Sequence, residues 1–137
     1  MGKSYFKYPF LRRELLMCMQ ALADRDYQNS AWISRIFPPG IEWDSLGVAV
    51  DFIFNDSGLS DDAVGAIGIF LVEDELGGVA KVIEKMEVVF EKYGDDCSDL
   101  EYISQPEWSD VVESATVLLD QIKNNNRNLG FDPSMVD

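Results

Sequence analysis

Pro106-Glu107-Trp108-Ser109-Asp110-Val111-Val112-Glu113-Ser114-Ala115-Thr116-Val117-Leu118-Leu119-Asp120-Gln121-Ile122-Lys123 decides the fold class. Trp108, Val111, Val112, Ala115, Leu118, Leu119 and Ile122 return every third or fourth residue, while Ser109, Asp110, Glu113 and Asp120 fall on the opposite side. That spacing places one apolar stripe along an α-helix. Pro106 suits a first turn, whose N–H groups have no partner inside the helix. Glu107 and Asp110 at the start and Lys123 at the end complement the helix dipole. The run Asn124-Asn125-Asn126 predicts the stop, with residues 124–137 as a loose tail.

Outward from this segment the same period recurs. Val79, Val82, Ile83, Met86, Val89, Phe90 and Tyr93 make a stripe over Leu76 to Tyr93, wetted by Lys81, Glu84, Lys85, Glu87 and Lys92, with Gly94 as its C-cap. A third helix is predicted over Pro9 to Ala23 from Leu11, Leu15, Cys18, Met19 and Leu22. Asp24 or Asp26 would cap a short helix through Tyr27, Ala31 and Trp32. Val48 to Phe54 is rich enough in β-branched and aromatic residues for a strand. With Leu46, Val50, Ile53 and Phe54 facing inward, the same run reads equally as a helix capped by Asp44 or Ser45. Ser60-Asp61-Asp62 reads as a helix start before Ala63 to Val72, although Gly65 and Gly68 each cost such a helix about 1 kcal/mol relative to alanine. The expectation is an all-α, compact multi-helix bundle, one domain over residues 1–137, with residues 46–54 the one segment open to a strand.

A chain of 137 residues with 47% hydrophobic residues can bury a core without a metal or disulfide to close it. Cys18 lies in an apolar stripe, as a small buried hydrophobe would. Cys97 lies among Asp95, Asp96 and Asp99, whose charges disfavour a thiolate. Residues 1–9 carry no apolar leader-like run, and Ala63 to Val72 is too short to span a bilayer. A cytoplasmic protein is expected.

The chain has no histidine. That removes Ser-His-Asp and Cys-His catalysis and the commonest metal ligand. Two distant cysteines cannot supply a zinc site. The glycines Gly65, Gly68 and Gly77-Gly78 are not followed by the Lys-Ser/Thr of a phosphate loop. Asp95 to Glu101 alternates oxygen ligands, but Leu100 stands where a calcium-binding EF-hand loop needs glycine, and the stretch reads better as a helix-capping acidic turn. Carboxylate pairs such as Asp61-Asp62 and Glu73-Asp74-Glu75 are present by sheer abundance of acids. No enzyme, cofactor or metal is expected.

The net charge of −14 argues against nucleic-acid and anionic-membrane partners, which require Lys and Arg. The acids are also unevenly placed. Between Phe37 and Ala80 there is no Lys or Arg, while Glu42, Asp44, Asp51, Asp56, Asp61, Asp62, Glu73, Asp74 and Glu75 all fall there. A second stretch without basic residues runs from Tyr93 to Ile122. The basic residues gather at the start, as Lys3, Lys7, Arg12, Arg13, Arg25 and Arg35, and in the helix bearing Lys81, Lys85 and Lys92. Such crowding costs folding stability by self-repulsion, and it steers a basic partner. Some of these acids serve as caps. Trp43, flanked by Glu42 and Asp44 after the Pro38-Pro39-Gly40 turn, is the exposed anchor expected inside the acidic tract. Trp32 and Trp108 sit at core spacing. The expected partner contacts are Trp43, Asp51, Asp56, Asp61, Asp62, Glu73, Asp74 and Glu75.

Leu11-Arg12-Arg13-Glu14-Leu15, Ala21 to Gln28, Trp32, Phe52 to Asp56, Ala66-Ile67-Gly68 with Leu71 and Glu75, and Tyr102 with Pro106 to Val112 resemble a family of short, acidic, helical bacterial proteins, largely uncharacterised. The resemblance covers residues 11–122 and implies a fold, with no site residues attached. By type, a small acidic protein without catalytic groups is also similar to the immunity proteins of bacterial toxin systems, including contact-dependent growth inhibition. That likeness implies a protein that neutralises a cognate basic toxin domain, a nuclease such as an RNase being the expected class, by blocking its active site. The alternative expectation is an acidic regulatory or scaffold adaptor with a different protein partner.

Overall fold

The computed structural model describes residues 5–136, so Lys3 of the basic N-terminal group and Asp137 lie outside the described residues. Seven α-helices carry the described chain: α1 (Pro9–Ala23), α2 (Arg25–Tyr27), α3 (Leu46–Asp51), α4 (Leu59–Asp62), α5 (Leu76–Tyr93), α6 (Asp99–Ile103) and α7 (Trp108–Leu129). No strand forms among the described residues; an isolated bridge between Ile67 and Leu71 is the nearest approach. The protein is all-α. None of these helices is long and apolar enough to cross a membrane.

Helix α7 packs against both α1 and α5. Arg12 near the start of α1 reaches Asn126 near the end of α7, and Gln28 just beyond α1 meets Trp108 at the start of α7. Gly78 at the start of α5 lies against Leu118, and Lys92 at its end meets Glu107 before α7. Helices α1 and α5 therefore both run antiparallel to α7. Leu15, Leu22, Met86, Val89, Trp108, Val111, Ala115, Leu118 and Ile122 are completely or almost completely buried between them. These are the stripe positions the period predicts.

Two local results follow from the residues at the ends. Gly94 takes φ +80° and its N–H bonds the Phe90 carbonyl, ending α5 as predicted. The three asparagines do not end α7. The helix continues to Leu129, with Asn125 and Asn126 buried, and stops at Gly130 in the left-handed region. Phe131 then stacks edge-on to Phe6, so the segment predicted as a loose tail begins as two more helical turns and continues against the bundle.

The middle settles as helix with two widened turns. Residues 46–51 are α-helical, and Phe52–Asp56 form a π-turn in which Ser57 N–H bonds the Phe52 carbonyl. A second π-turn, Gln28–Ile33, follows α2. The predicted helix over Ala63 to Val72 does not form. After α4 the chain makes one 3-10 turn, Val64–Ala66, and doubles back at Gly68, which takes φ +80°. Lys7 and Tyr8 N–H groups bond the Gly68 and Ile69 carbonyls, so the turn receives the chain entering α1.

Several acids are caps. Asp24 accepts from Tyr27 N–H at the start of α2, and Ser98 and Glu101 make a reciprocal capping box on α6. Asp99 caps α3 from a distance, accepting from Leu46 N–H at 3.0 Å. Glu107 accepts from Lys92 and Tyr93, and these two hydrogen bonds hold its carboxyl down at about 2.

Candidate partner-binding groove

The loop from Ser34 to Ser45 leaves the bundle and returns, and its return is fixed by one carboxylate. Asp44 accepts from the Tyr27 hydroxyl, from Trp32 Nε1 at 3.1 Å and from its neighbour Ser45 N–H. Burial, and then the hydrogen bond to Asp44, push the Tyr27 phenol above its ordinary range, so it remains a donor. Pro39 and Gly40, the latter at φ +89°, make the tight turn at the tip, closed by Ile41 N–H on the Pro38 carbonyl at 3.0 Å. Trp43 is thus carried next to a rigid anchor, yet it is 58% exposed. The Arg35 guanidinium lies 4.3 Å over its ring, and Phe37 stands 6.2 Å away on a tilt. Arg35 itself takes φ +61°, the one described residue other than glycine with a positive φ, where the chain leaves the π-turn.

Between α1 and α3, beneath this loop, runs an apolar groove of about 420 Å³. Phe10 and Met17 of α1 and Val48 of α3 line it and are exposed, at 49%, 38% and 47%, as is Trp43 at the lip. Glu14 on the α1 wall and Asp56 on the α3 side also line it, and neither carboxylate meets a hydrogen-bond partner or cation among the described residues. Among the described residues, no Lys or Arg lines it. Cys18 forms part of the floor; burial pushes its thiol far up, so it is a packing group and not a nucleophile.

Seven of the eight sequence-predicted contact residues divide into three sets, and Glu75 stands apart. Trp43 and Asp56 come together in the groove. Asp51, Asp61 and Asp62 are exposed on the segment continuing from Asp56 and α3, with Asp51 accepting from Asn55 and Asp62 accepting from Gly65 N–H. Glu73 and Asp74 are exposed at the foot of α5, where Asn125 bonds the Asp74 carboxylate and Gln121 its carbonyl. Glu75 is corrected: it is completely buried and cannot touch a partner.

Glu75 belongs instead to a closed network. Arg12 donates to its two oxygens at 2.6 and 2.8 Å, and also to Asn126 Oδ1, the Phe70 carbonyl and the Ile122 carbonyl. Asn125 and Val72 N–H complete the carboxylate. A guanidinium with five donors and no exposed surface thus has every donor met. Sequence reasoning assigned Arg12 to the basic N-terminal group, Glu75 to the surface and the asparagines to a helix stop. The signal was present. Arg12 precedes Leu15 by three and Met19 by seven, and Asn125 and Asn126 follow Ile122 by three and four, so polar residues occupy stripe positions.

The sequence model of a family described as a domain of unknown function, DUF7945, matches residues 6–128, and the chain belongs to that family. No curated protein and no solved structure matches the chain.

Proposed function

We propose that this domain is an immunity protein, which binds a basic toxin domain and occludes its active site, a nuclease being the class that fits. The observation that supports this reading is the groove between α1 and α3, which joins exposed apolar side chains to carboxylates without a partner among the described residues, while the neighbouring α3 and α4 carry the exposed acids Asp51, Asp61 and Asp62. A nuclease cleft is positively charged because it receives phosphates. Carboxylates on a rigid helical surface present the same charge to that cleft, while Trp43 supplies the kind of aromatic anchor that carries binding energy. The uneven charge draws such a partner from a distance, and the apolar wall holds it after contact.

The test is capture from lysate of the source organism through low- and high-salt washes, followed by an activity assay on the captured domain. The expected result is one basic domain whose nuclease activity is abolished at equimolar ratio. An Asp61→Lys/Asp62→Lys variant should associate more slowly, with a flatter dependence on salt. A captured domain that stays fully active, or association unchanged by charge reversal, overturns the reading.

A further inference from the structure

We infer that the groove between α1 and α3 receives a projecting segment of the partner in which a Lys or Arg stands between apolar side chains. The inference rests on the reading above that this surface takes a protein, and it adds the chemistry of the element that enters the groove.

The argument begins with what covering the groove would do. Phe10, Met17, Val48 and Trp43 offer apolar surface whose removal from water favours binding. The same covering takes Glu14 and Asp56 out of water. A carboxylate buried without a partner costs several kcal/mol, more than one apolar side chain returns. A wholly apolar occupant is therefore opposed by the two walls, and a wholly polar cation gains nothing from the groove's apolar lining. An occupant with both features satisfies the whole lining.

Charge selects among the possible occupants. A second copy of this chain, at −14, brings like charge to an already acidic surface. A nucleic acid brings phosphates. A basic protein segment is the complementary one. The lip of the groove already shows the contact such a segment would make. The indole of Trp43 carries the Arg35 guanidinium at 4.3 Å, on a residue that is 58% exposed. Asp44 takes no part in receiving the cation, since its oxygens are engaged by Tyr27, Trp32 and Ser45. Glu14 and Asp56 are the groups left to pair with it.

The test uses displayed random 12-residue peptides panned against the full chain, with a Glu14→Gln/Asp56→Asn variant and a Trp43→Ala variant as controls of known fold by circular dichroism. The expected result is enrichment of peptides combining Arg or Lys with large apolar residues. Their synthetic forms should perturb Trp43 emission and bind each variant at least about tenfold more weakly. Enriched peptides without a cation, peptides indifferent to the groove variants, or no enrichment at all would overturn the inference. The two proposals fail separately. If a nuclease domain is captured and inhibited but the groove variants bind it unchanged, only the groove assignment is lost. If groove peptides are enriched but no toxin domain is captured and inhibited, the immunity reading is lost and the groove remains a receptor for basic segments.

Discussion

The bundle of α1, α5 and α7 and the stretch from Gln28 to Phe70 obey different rules. In the bundle, long helices keep their apolar period over several turns, and the polar groups that occupy stripe positions are paired inside it. In the middle stretch the helices are short, two π-turns accompany them, and the acids Asp51, Asp56, Asp61 and Asp62 face water, while Gln28 at its start is buried and bonded into the bundle. Arg12 and Glu75 are completely buried and fully hydrogen-bonded. Glu14 of α1 and Asp56 of the middle stretch line an open groove and meet no hydrogen-bond partner or cation among the described residues. The same residue types therefore do opposite work. Buried between the helices they fix how α1, α5 and α7 register; on the groove, whose walls are α1 and the middle stretch, they are left available. π-turns shift side chains out of the regular helical register and often accompany functional sites, and here the turn Phe52–Asp56 places Asp56 on the groove.

The strongest way to break this contrast is to remove one half of the buried pair. Arg12→Met should destabilise the fold by about 3–5 kcal/mol in urea denaturation, because it leaves the Glu75 carboxylate and the Asn126 oxygen in the core without their donor. Replacing both charges, as Arg12→Met/Glu75→Met, should recover a large part of that loss, since no lone charge then remains buried. A single variant within about 1 kcal/mol of the parent would mean that water reaches the site and that the bundle is not closed as described.

An intermediate effect is expected where the two regions are joined. Asp44 belongs to the loop but bonds Tyr27 and Trp32, and Trp32 packs edge-on to Trp108 at 6.4 Å in the core. Asp44→Ala strands the buried Trp32 Nε1 and should cost about 1–3 kcal/mol. It should also alter Trp43 emission, because the anchor beside that indole is gone. A change in emission without a change in stability would show that Asp44 orders the loop alone.

How much of this was legible in the sequence follows the same division. The stripes of α1, α5 and α7 could be read because each has several repeats of its period, and both Trp32 and Trp108 lie buried as their spacing implied. Residues 46–54 could not be decided because so short a run fits two periods, and the answer, helix then π-turn, comes from Asp99, 53 positions beyond Leu46, capping the start of α3. The helix expected over Ala63 to Val72 gives way after Asp62 to one 3-10 turn, and at Gly68, with a positive φ, the chain turns back toward the entry to α1. Among the expected contact residues, the exposure of Trp43 was readable because an aromatic between two acids after a Pro-Pro-Gly turn has nothing nearby to bury it. The groove was not readable. Its two walls come from α1 and α3, and Glu14, an ordinary acid in an amphipathic helix, gives no local sign that a second wall faces it.

The smallest expected effect on stability is also the most direct test of the contrast. Trp43 is 58% exposed, and its ring touches the fold through Arg35 and Phe37, both outside the buried core. Trp43→Ala should therefore change stability by no more than about 0.5–1 kcal/mol, well below the change for Asp44→Ala one residue away. The unmodified protein should show one indole readily quenched by acrylamide, which carries no charge, and two that are shielded, Trp32 and Trp108. The variant should lose the quenchable fraction while keeping its denaturation midpoint. If Trp43→Ala instead lowers the midpoint as far as Asp44→Ala does, the indole is a structural cover over the groove, and the apolar lining beneath it belongs to the core. If the midpoint holds, an aromatic of this size at the rim of an apolar, acid-walled groove contributes little to folding, and its energy is available to a partner.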